Sequence, residues 1–212
     1  MKYLLYGANG YTAQLIIQES LKAGLQPVIA GRSADKIKKI AKQYALDYTV
    51  FDLSNKEKIE QELKDFSLCL NAAGPFSQTA KPMIEACIAS NTHYLDITGE
   101  INVFELAKSY GKQATEAGIC VMPGVGFDVV PSDCLANYLK ENLPSATHLE
   151  LAFTSIGGGL SHGTASTMVE NLGEGSAARV DGKIKKVDLG HLSKKIDFGE
   201  VKHYAMTIPW GD

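Results

Sequence analysis

Strong charge of either sign is missing from this chain of 212 residues: 21 Lys and Arg stand against 24 Asp and Glu, for a formal net charge of −3. The one cluster of like charge, at 183–186, is interrupted by Ile184. A basic surface for nucleic acid or an anionic membrane is therefore not expected. Cysteine is scarce. Cys69, Cys87, Cys120 and Cys134 lie 18, 33 and 14 residues apart with no Cys-x-x-Cys pair, which argues against a disulfide framework and for reduced, buried thiols. The five histidines, His93, His148, His162, His191 and His203, have no metal-ligand spacing, so no metal is expected. There is no run of about 18 apolar residues to cross a membrane, and a strand beginning at Tyr3 leaves no room for a signal peptide. A soluble, cytoplasmic protein is the expectation. No Gly-x-x-x-x-Gly-Lys-Ser/Thr loop occurs, which argues against a nucleoside triphosphatase, and no tyrosine is followed four residues later by lysine, which removes the short-chain dehydrogenase dyad.

What the chain does have is regular alternation of short apolar runs with helical patterns, the mark of parallel βαβ units. Strands are expected at 3–6, 27–30, 48–51, 67–71, 93–97 and 119–122. Between them, helical spacing appears over 10–24, in the segment capped by Ser33, after a Ser54-Asn55-Lys56-Glu57 capping box, behind Pro82 in a first turn, and over 101–117, which Gly118 ends. The expected fold is α/β, a doubly wound parallel sheet in order 3-2-1-4-5-6. A helix follows Pro131 to about Asn142, and Pro144 marks a boundary between a domain over 1–143 and a smaller α+β domain over 144–212. In the latter, an antiparallel strand is expected over 148–155, a helix over 164–172, a hairpin turning on Asp181-Gly182, and a strand over 201–208.

Gly7-Ala8-Asn9-Gly10-Tyr11-Thr12-Ala13 leaves the first strand and opens the first helix, the context in which a glycine pattern becomes a dinucleotide signature rather than an ordinary structural turn. Gly7 permits the tight turn, Gly10 keeps a Cβ out of the way of a diphosphate, and Ala13 lets the helix lie close to the sheet. The exposed N–H groups and dipole at that helix end suit the diphosphate, with Asn9, Tyr11 and Thr12 beside it. The second strand ends in Ala30-Gly31-Arg32-Ser33, with no acid before Asp35 to accept from a ribose 2′-hydroxyl. Arg32 instead suits a 2′-phosphate. A charge-assisted contact of ~1.5–3 kcal/mol gives roughly a ten- to hundredfold preference for NADP(H) over NAD(H), unless Arg32 is only a solvated surface residue. Ser33 and Lys36 are further phosphate candidates, and Asp52 is a candidate for the adenine edge.

Asn71-Ala72-Ala73-Gly74-Pro75 leaves the fourth strand where the crevice of such a sheet takes the ribose and nicotinamide. Asp96-Ile97-Thr98-Gly99-Glu100 and Pro123-Gly124-Val125-Gly126-Phe127-Asp128 converge on the same end, where a small-molecule substrate would meet the cofactor. Asp96, Glu100 and Asp128 are the candidates for acid or base, each equally readable as a cap or turn residue. His162 is a further candidate proton donor, or simply polar loop.

Taken in order, these motifs and the later Gly126-Phe127-Asp128-Val129-Val130-Pro131-Ser132-Asp133 and Ser161-His162-Gly163-Thr164-Ala165 make the chain resemble the saccharopine dehydrogenase-like oxidoreductases, especially their trans-acting enoyl reductase-like branch. That resemblance implies an NADP(H)-binding fold, hydride transfer of the reductase type to a C=O, C=N or activated C=C substrate, and a second domain that contacts substrate and forms a homodimer surface. Members of that family run longer, and this chain stops near the apolar Trp210, so a truncated chain with an incomplete substrate site is expected. The alternative function is a non-catalytic NADP(H)-binding regulatory or interaction protein.

Overall fold

The computed structural model describes residues 2–155, 157, 165, 169, 173, 175–199 and 201–209. The chain divides into two compact units, Met1–Asp128 and Val129–Asp212.

In the first unit, β1 (Tyr3–Tyr6), β2 (Val28–Gly31), β3 (Tyr48–Val50), β4 (Leu68–Asn71), β5 (His93–Asp96) and β6 (Val121–Met122) form one parallel sheet in the order β3-β2-β1-β4-β5-β6. The expected order is the observed one. β1 is central, and all four of its residues are buried because helices cover both faces of the sheet. Leu5 and Ile29 pack with Ala13 and Ile17 of α1 (Tyr11–Lys22) and with Ile37 and Ile40 of α2 (Ala34–Tyr44). On the other face, Leu4 and Tyr6 join Ile59 and Leu63 of α3 (Lys56–Leu63), Met83 and Ile84 of α4 (Phe76–Ser90), and Val103 of α5 (Ile101–Ser109). The alternation Tyr3-Leu4-Leu5-Tyr6 thus feeds two cores from one strand.

Three local readings are corrected. α4 starts six residues before Pro82, which lies inside the helix and removes one of its internal hydrogen bonds. The start is set from a distance: the Glu100 carboxylate accepts from the Phe76 and Ser77 N–H groups at 2.8 and 2.9 Å. The single helix expected over 101–117 breaks at Tyr110 (φ −87°, ψ 1°), leaving α5 and a short α6 (Gly111–Ala117). Gly111 at the break is a poor helix former, and the Tyr110 hydroxyl donates to Glu85 at 2.6 Å. Finally, Ser54 does not cap α3. The N-cap is Asn55, whose Oδ1 accepts from the Lys58 N–H at 2.9 Å, while the Ser54 hydroxyl donates to Asp52.

The second unit opens with α7 (Val130–Asn142), closed where the Lys140 ammonium donates to the carbonyls of Pro144 and Ala146. β7 (Ser176–Val180) and β8 (Lys183–Val187) form the expected hairpin, and positive φ at both Asp181 (53°) and Gly182 (75°) suits a tight two-residue turn. The strand expected over 201–208 is β10 (Lys202–Met206), paired antiparallel with β9 (Ser193–Asp197), which periodicity alone had not suggested. Residues 148–155 are not a strand: alternation supplies the pattern, but each described hairpin pairs only within itself and offers this segment no ladder. His162 and most of the helix expected over 164–172 lie outside the described residues.

Replacing Asn55 with Ala should lower stability by about 1 kcal/mol in urea denaturation, with a smaller effect for Ser54→Ala. Equal losses would return the cap to Ser54.

Candidate functional site

The turn from β1 to α1 is built on Gly7. Its φ of +85° is a left-handed conformation, and its N–H and that of Ala8 both donate to the Ala30 carbonyl, at 2.9 and 3.1 Å. A Cβ added at Gly7 would sit 2.7 Å from the Ala73 nitrogen and 2.8 Å from the Ala73 Cβ, so the turn after β1 packs directly on the turn after β4. Gly10 is less tightly confined; a Cβ there would meet the Gly7 carbonyl oxygen at 3.3 Å. The Gly10 N–H closes the turn onto that same oxygen at 2.9 Å, and the first helical bond runs from the Gln14 N–H to the Gly10 carbonyl. No side chain caps α1. Among the described residues the N–H groups of Tyr11, Thr12 and Ala13 have no backbone partner, and Asn9, Tyr11 and Thr12 are exposed. A helix end of this kind carries partial positive charge and open donors, which is what a diphosphate requires.

Beside it, the end of β2 is shaped for a close approach. A Cβ on Gly31 would come within 3.0 Å of Ile37 and 3.5 Å of the Asn9 side-chain oxygen, so glycine brings the turn in before the chain emerges at the exposed Arg32. Ser33 occupies the N-cap position of α2, yet its hydroxyl makes no cap bond, which leaves it available to a ligand. Asp52 follows β3 and is exposed; two hydrogen bonds from Ser54 hold its carboxyl below the ordinary value. Tyr6, whose hydroxyl donates to the Phe51 carbonyl, reports on this corner. Its pKa is raised to about 12, chiefly by burial, with Asp52 adding to the rise and Arg32 opposing it, so Arg32 and Asp52 act on one neighbourhood at the carboxyl ends of β1–β3.

Around β4, β5 and β6 the predicted residues turn out to be heavily engaged. Asn71 is fully buried, with its amide donating to Thr79 (3.2 Å) and to the Tyr94 hydroxyl (3.3 Å) and its oxygen accepting from the Ala73 N–H (3.1 Å). Ala72, Ala73, Gly74 and Pro75 form the turn that follows, with a cis bond between Gly74 and Pro75. Asp96 is also fully buried and accepts from the Tyr94 hydroxyl (2.6 Å) and the N–H groups of Thr98 and Gly124 (3.0 Å each). Burial raises its pKa above the ordinary value, and the three donors pull the other way without cancelling it. Glu100 is spent on the N-terminus of α4, whereas Asp128 is exposed at the end of the loop after β6.

Sequence reasoning missed Thr79, Tyr94 and Thr98, which complete this buried cluster. The available signal was the period-two placement of Tyr94 and Asp96, which sets both on one face of β5. Their meeting with Asn71 needs the register that sets Asn71 opposite Asp96. The cysteines divide: Cys69 and Cys87 are buried and free, with burial raising the Cys87 thiol, while Cys120 and Cys134 are exposed rather than buried as expected. Among the described residues no helix is long and apolar enough to cross a membrane.

A six-stranded parallel sheet in this order, with an open helix N-terminus after its first strand, defines a dinucleotide-binding Rossmann unit. Residues 3–122 match the family described as saccharopine dehydrogenase NADP binding domain, and the chain belongs to that family. It is 26% identical over 176 residues to a saccharopine dehydrogenase-like oxidoreductase of Bos taurus, covering 74% of this chain and 41% of that protein. It is 30% identical over 168 residues to a trans-acting enoyl reductase of Mycobacterium ulcerans (strain Agy99), covering 72% of this chain and 38% of that one. This chain therefore spans less than half the length of these two relatives. The apo saccharopine dehydrogenase (L-Glu forming) of Saccharomyces cerevisiae superposes with a TM-score of 0.68 over 98% of this chain and 49% of its own, at 14% identity, and so shares the fold.

Gly7→Ala should destabilise the protein by about 2–4 kcal/mol, since strain from the left-handed backbone adds to overpacking against Ala73; a loss under about 1 kcal/mol in chemical denaturation would mean that the two turns yield easily. A second expectation concerns pH. Since folding raises the Asp96 pKa, the native state binds this proton more tightly than the unfolded chain does. Its contribution to stability is therefore greatest in acid and declines as pH rises above the ordinary value of 3.8 and through the raised one. Asp96→Asn should flatten the dependence of the denaturation midpoint on pH above about 4, and an unchanged slope would show that Asp96 does not titrate there.

Proposed function

We propose that this chain supplies the NADP(H)-binding half of an oxidoreductase that transfers hydride to a C=O, C=N or activated C=C group of a small molecule. One observation carries the reading: the unpartnered N–H groups at the start of α1 stand next to a strand end whose exposed side chain is Arg32 and not an acid. Gly7, Asn9, Gly10, Tyr11 and Thr12 would hold the diphosphate, Arg32 and Ser33 the 2′-phosphate, and Asp52 the adenine edge. Asn71 would shape the turn of Ala72, Ala73, Gly74 and Pro75 against the nicotinamide ribose. When bound, the cofactor supplies the hydride; the protein orients it and excludes competing reactions.

Of the three acidic candidates, Asp96 and Glu100 serve better as positioning groups, because their oxygens are committed to fixed donors. Asp128 is the one whose exposure suits proton exchange with substrate. The free, buried Cys69 and Cys87 support a reducing, cytoplasmic setting. The commitment of Asp96 and Glu100 also favours a second reading, a non-catalytic NADP(H)-binding regulatory or interaction protein. Full-length protein that binds NADPH yet oxidises it with no carbonyl, imine or enoyl substrate would select that reading over the first.

Arg32→Glu tests the cofactor assignment. NADPH affinity should fall at least about tenfold in a fluorescence titration while NADH binding hardly changes. Equal losses for both nucleotides would mean that Arg32 does not read the phosphate.

A further inference from the structure

Asn71 and Asp96 belong to a buried polar cluster whose centre, Tyr94, has no role in the reading above, and a buried polar network is a demanding thing to keep. Every member must be satisfied, and an apolar core of the same shape would fold with less risk. Here every member is satisfied, and the partners it chooses are loops. Thr79 donates to the Ala73 carbonyl at 2.6 Å and Asn71 accepts from the Ala73 N–H, which fixes the turn after β4. Asp96 accepts from the Thr98 N–H, and the Thr98 hydroxyl accepts from the Glu100 N–H at 3.0 Å, which fixes the turn after β5. The same Asp96 oxygen takes the Gly124 N–H, the Asp96 carbonyl takes the Val125 N–H at 2.7 Å, and a Cβ on Gly126 would press within 3.0 Å of Ile97; together these fix the turn after β6.

Tyr94 is the junction. Its fully buried hydroxyl accepts from Asn71 on one side and donates to Asp96 on the other, joining the β4 turn to the other two. Glu100 closes the circuit by accepting from the first two N–H groups of α4. The hydrogen bonds of this cluster run to the turns after β4, β5 and β6, and the turn after β4 meets the diphosphate corner by packing, Ala73 against Gly7.

We propose that Tyr94 and Asp96 are positioning residues for the nicotinamide mononucleotide half of the ligand: they preset the turns after β4, β5 and β6 as one unit, on the side of β1 away from the β2 end whose Arg32 takes the adenosine 2′-phosphate. This inference rests on the NADP(H) reading. Pre-ordered loops spare the ligand the entropy of ordering them, and so the network should show in affinity and not only in stability.

The test compares the full chain with Tyr94→Phe and Asp96→Asn, titrating each by calorimetry with NADPH and with adenosine 2′,5′-bisphosphate, which lacks the nicotinamide half. Emission of the bound reduced nicotinamide is read alongside. For Tyr94→Phe, which keeps its ring in place and loses one hydroxyl, NADPH affinity should fall about tenfold, the loss of a charge-assisted hydrogen bond. Affinity for the bisphosphate should stay within about twofold, and bound NADPH should lose most of its emission enhancement. Should Asp96→Asn fail to fold, Thr79→Val takes its place beside Tyr94→Phe. Unchanged affinities, or equal losses for both ligands, would reduce the cluster to a structural element and overturn the proposal. A native chain that binds neither ligand would fail before any variant is made, and would overturn the NADP(H) reading together with this one.

Discussion

The close approach of Gly7 to Ala72 and Ala73 is the constraint on which the rest of the crevice depends. β1 and β4 are neighbours at the centre of the sheet, and the two turns leaving them diverge towards helices on opposite faces. Only a residue without a Cβ, and with a left-handed backbone, lets those turns touch before they part. Because they touch, α1 begins immediately above the sheet and aims its open N–H groups into the cleft where the strand order reverses. The same contact limits what can follow β4 to small residues, and the chain provides Ala72, Ala73 and Gly74 there.

From that centre the crevice divides into two kinds of surface. Towards β2 and β3 it consists of backbone donors, the exposed side chains of Arg32 and Asp52, and the half-buried Ser33. Towards β5 and β6 the polar groups are directed inwards. Asn71, Thr79, Tyr94, Asp96 and Thr98 satisfy one another and the backbone of three turns, and what they present to the cleft is shape. Burying Asp96 is tolerable because three donors meet it, although the raised pKa shows that desolvation is not fully offset. Glu100 uses its carboxylate on the backbone as well, since it accepts from the N–H groups at the start of α4, where a helix favours negative charge.

The strand order, the glycine turn and the cation after β2 were legible in the amino-acid sequence because each depends on neighbours a few residues apart. Apolar period and crossover handedness leave little freedom once six strands alternate with helices. The hairpin on Asp181-Gly182 was legible for the same reason, a turn requirement that few residue pairs meet. The start of α4 was not, because its capping carboxylate comes from Glu100, 24 residues further on. Nor was the pairing of β9 with β10, or the irregular backbone of 148–155, since alternation specifies a face and says nothing of which strand will lie alongside.

By itself, then, the sequence determined that a parallel α/β sheet forms, that its first turn is a glycine turn opening a helix, and that a guanidinium rather than a carboxylate follows β2; each follows from local conformation or from residue chemistry. Only the tertiary structure decided that the candidate acids Asp96 and Glu100 are tied down by Tyr94, Thr98, Gly124 and the start of α4. Those ties join different strands in register, and hydrogen bonds between segments distant in the chain exist only once packing has brought the segments together.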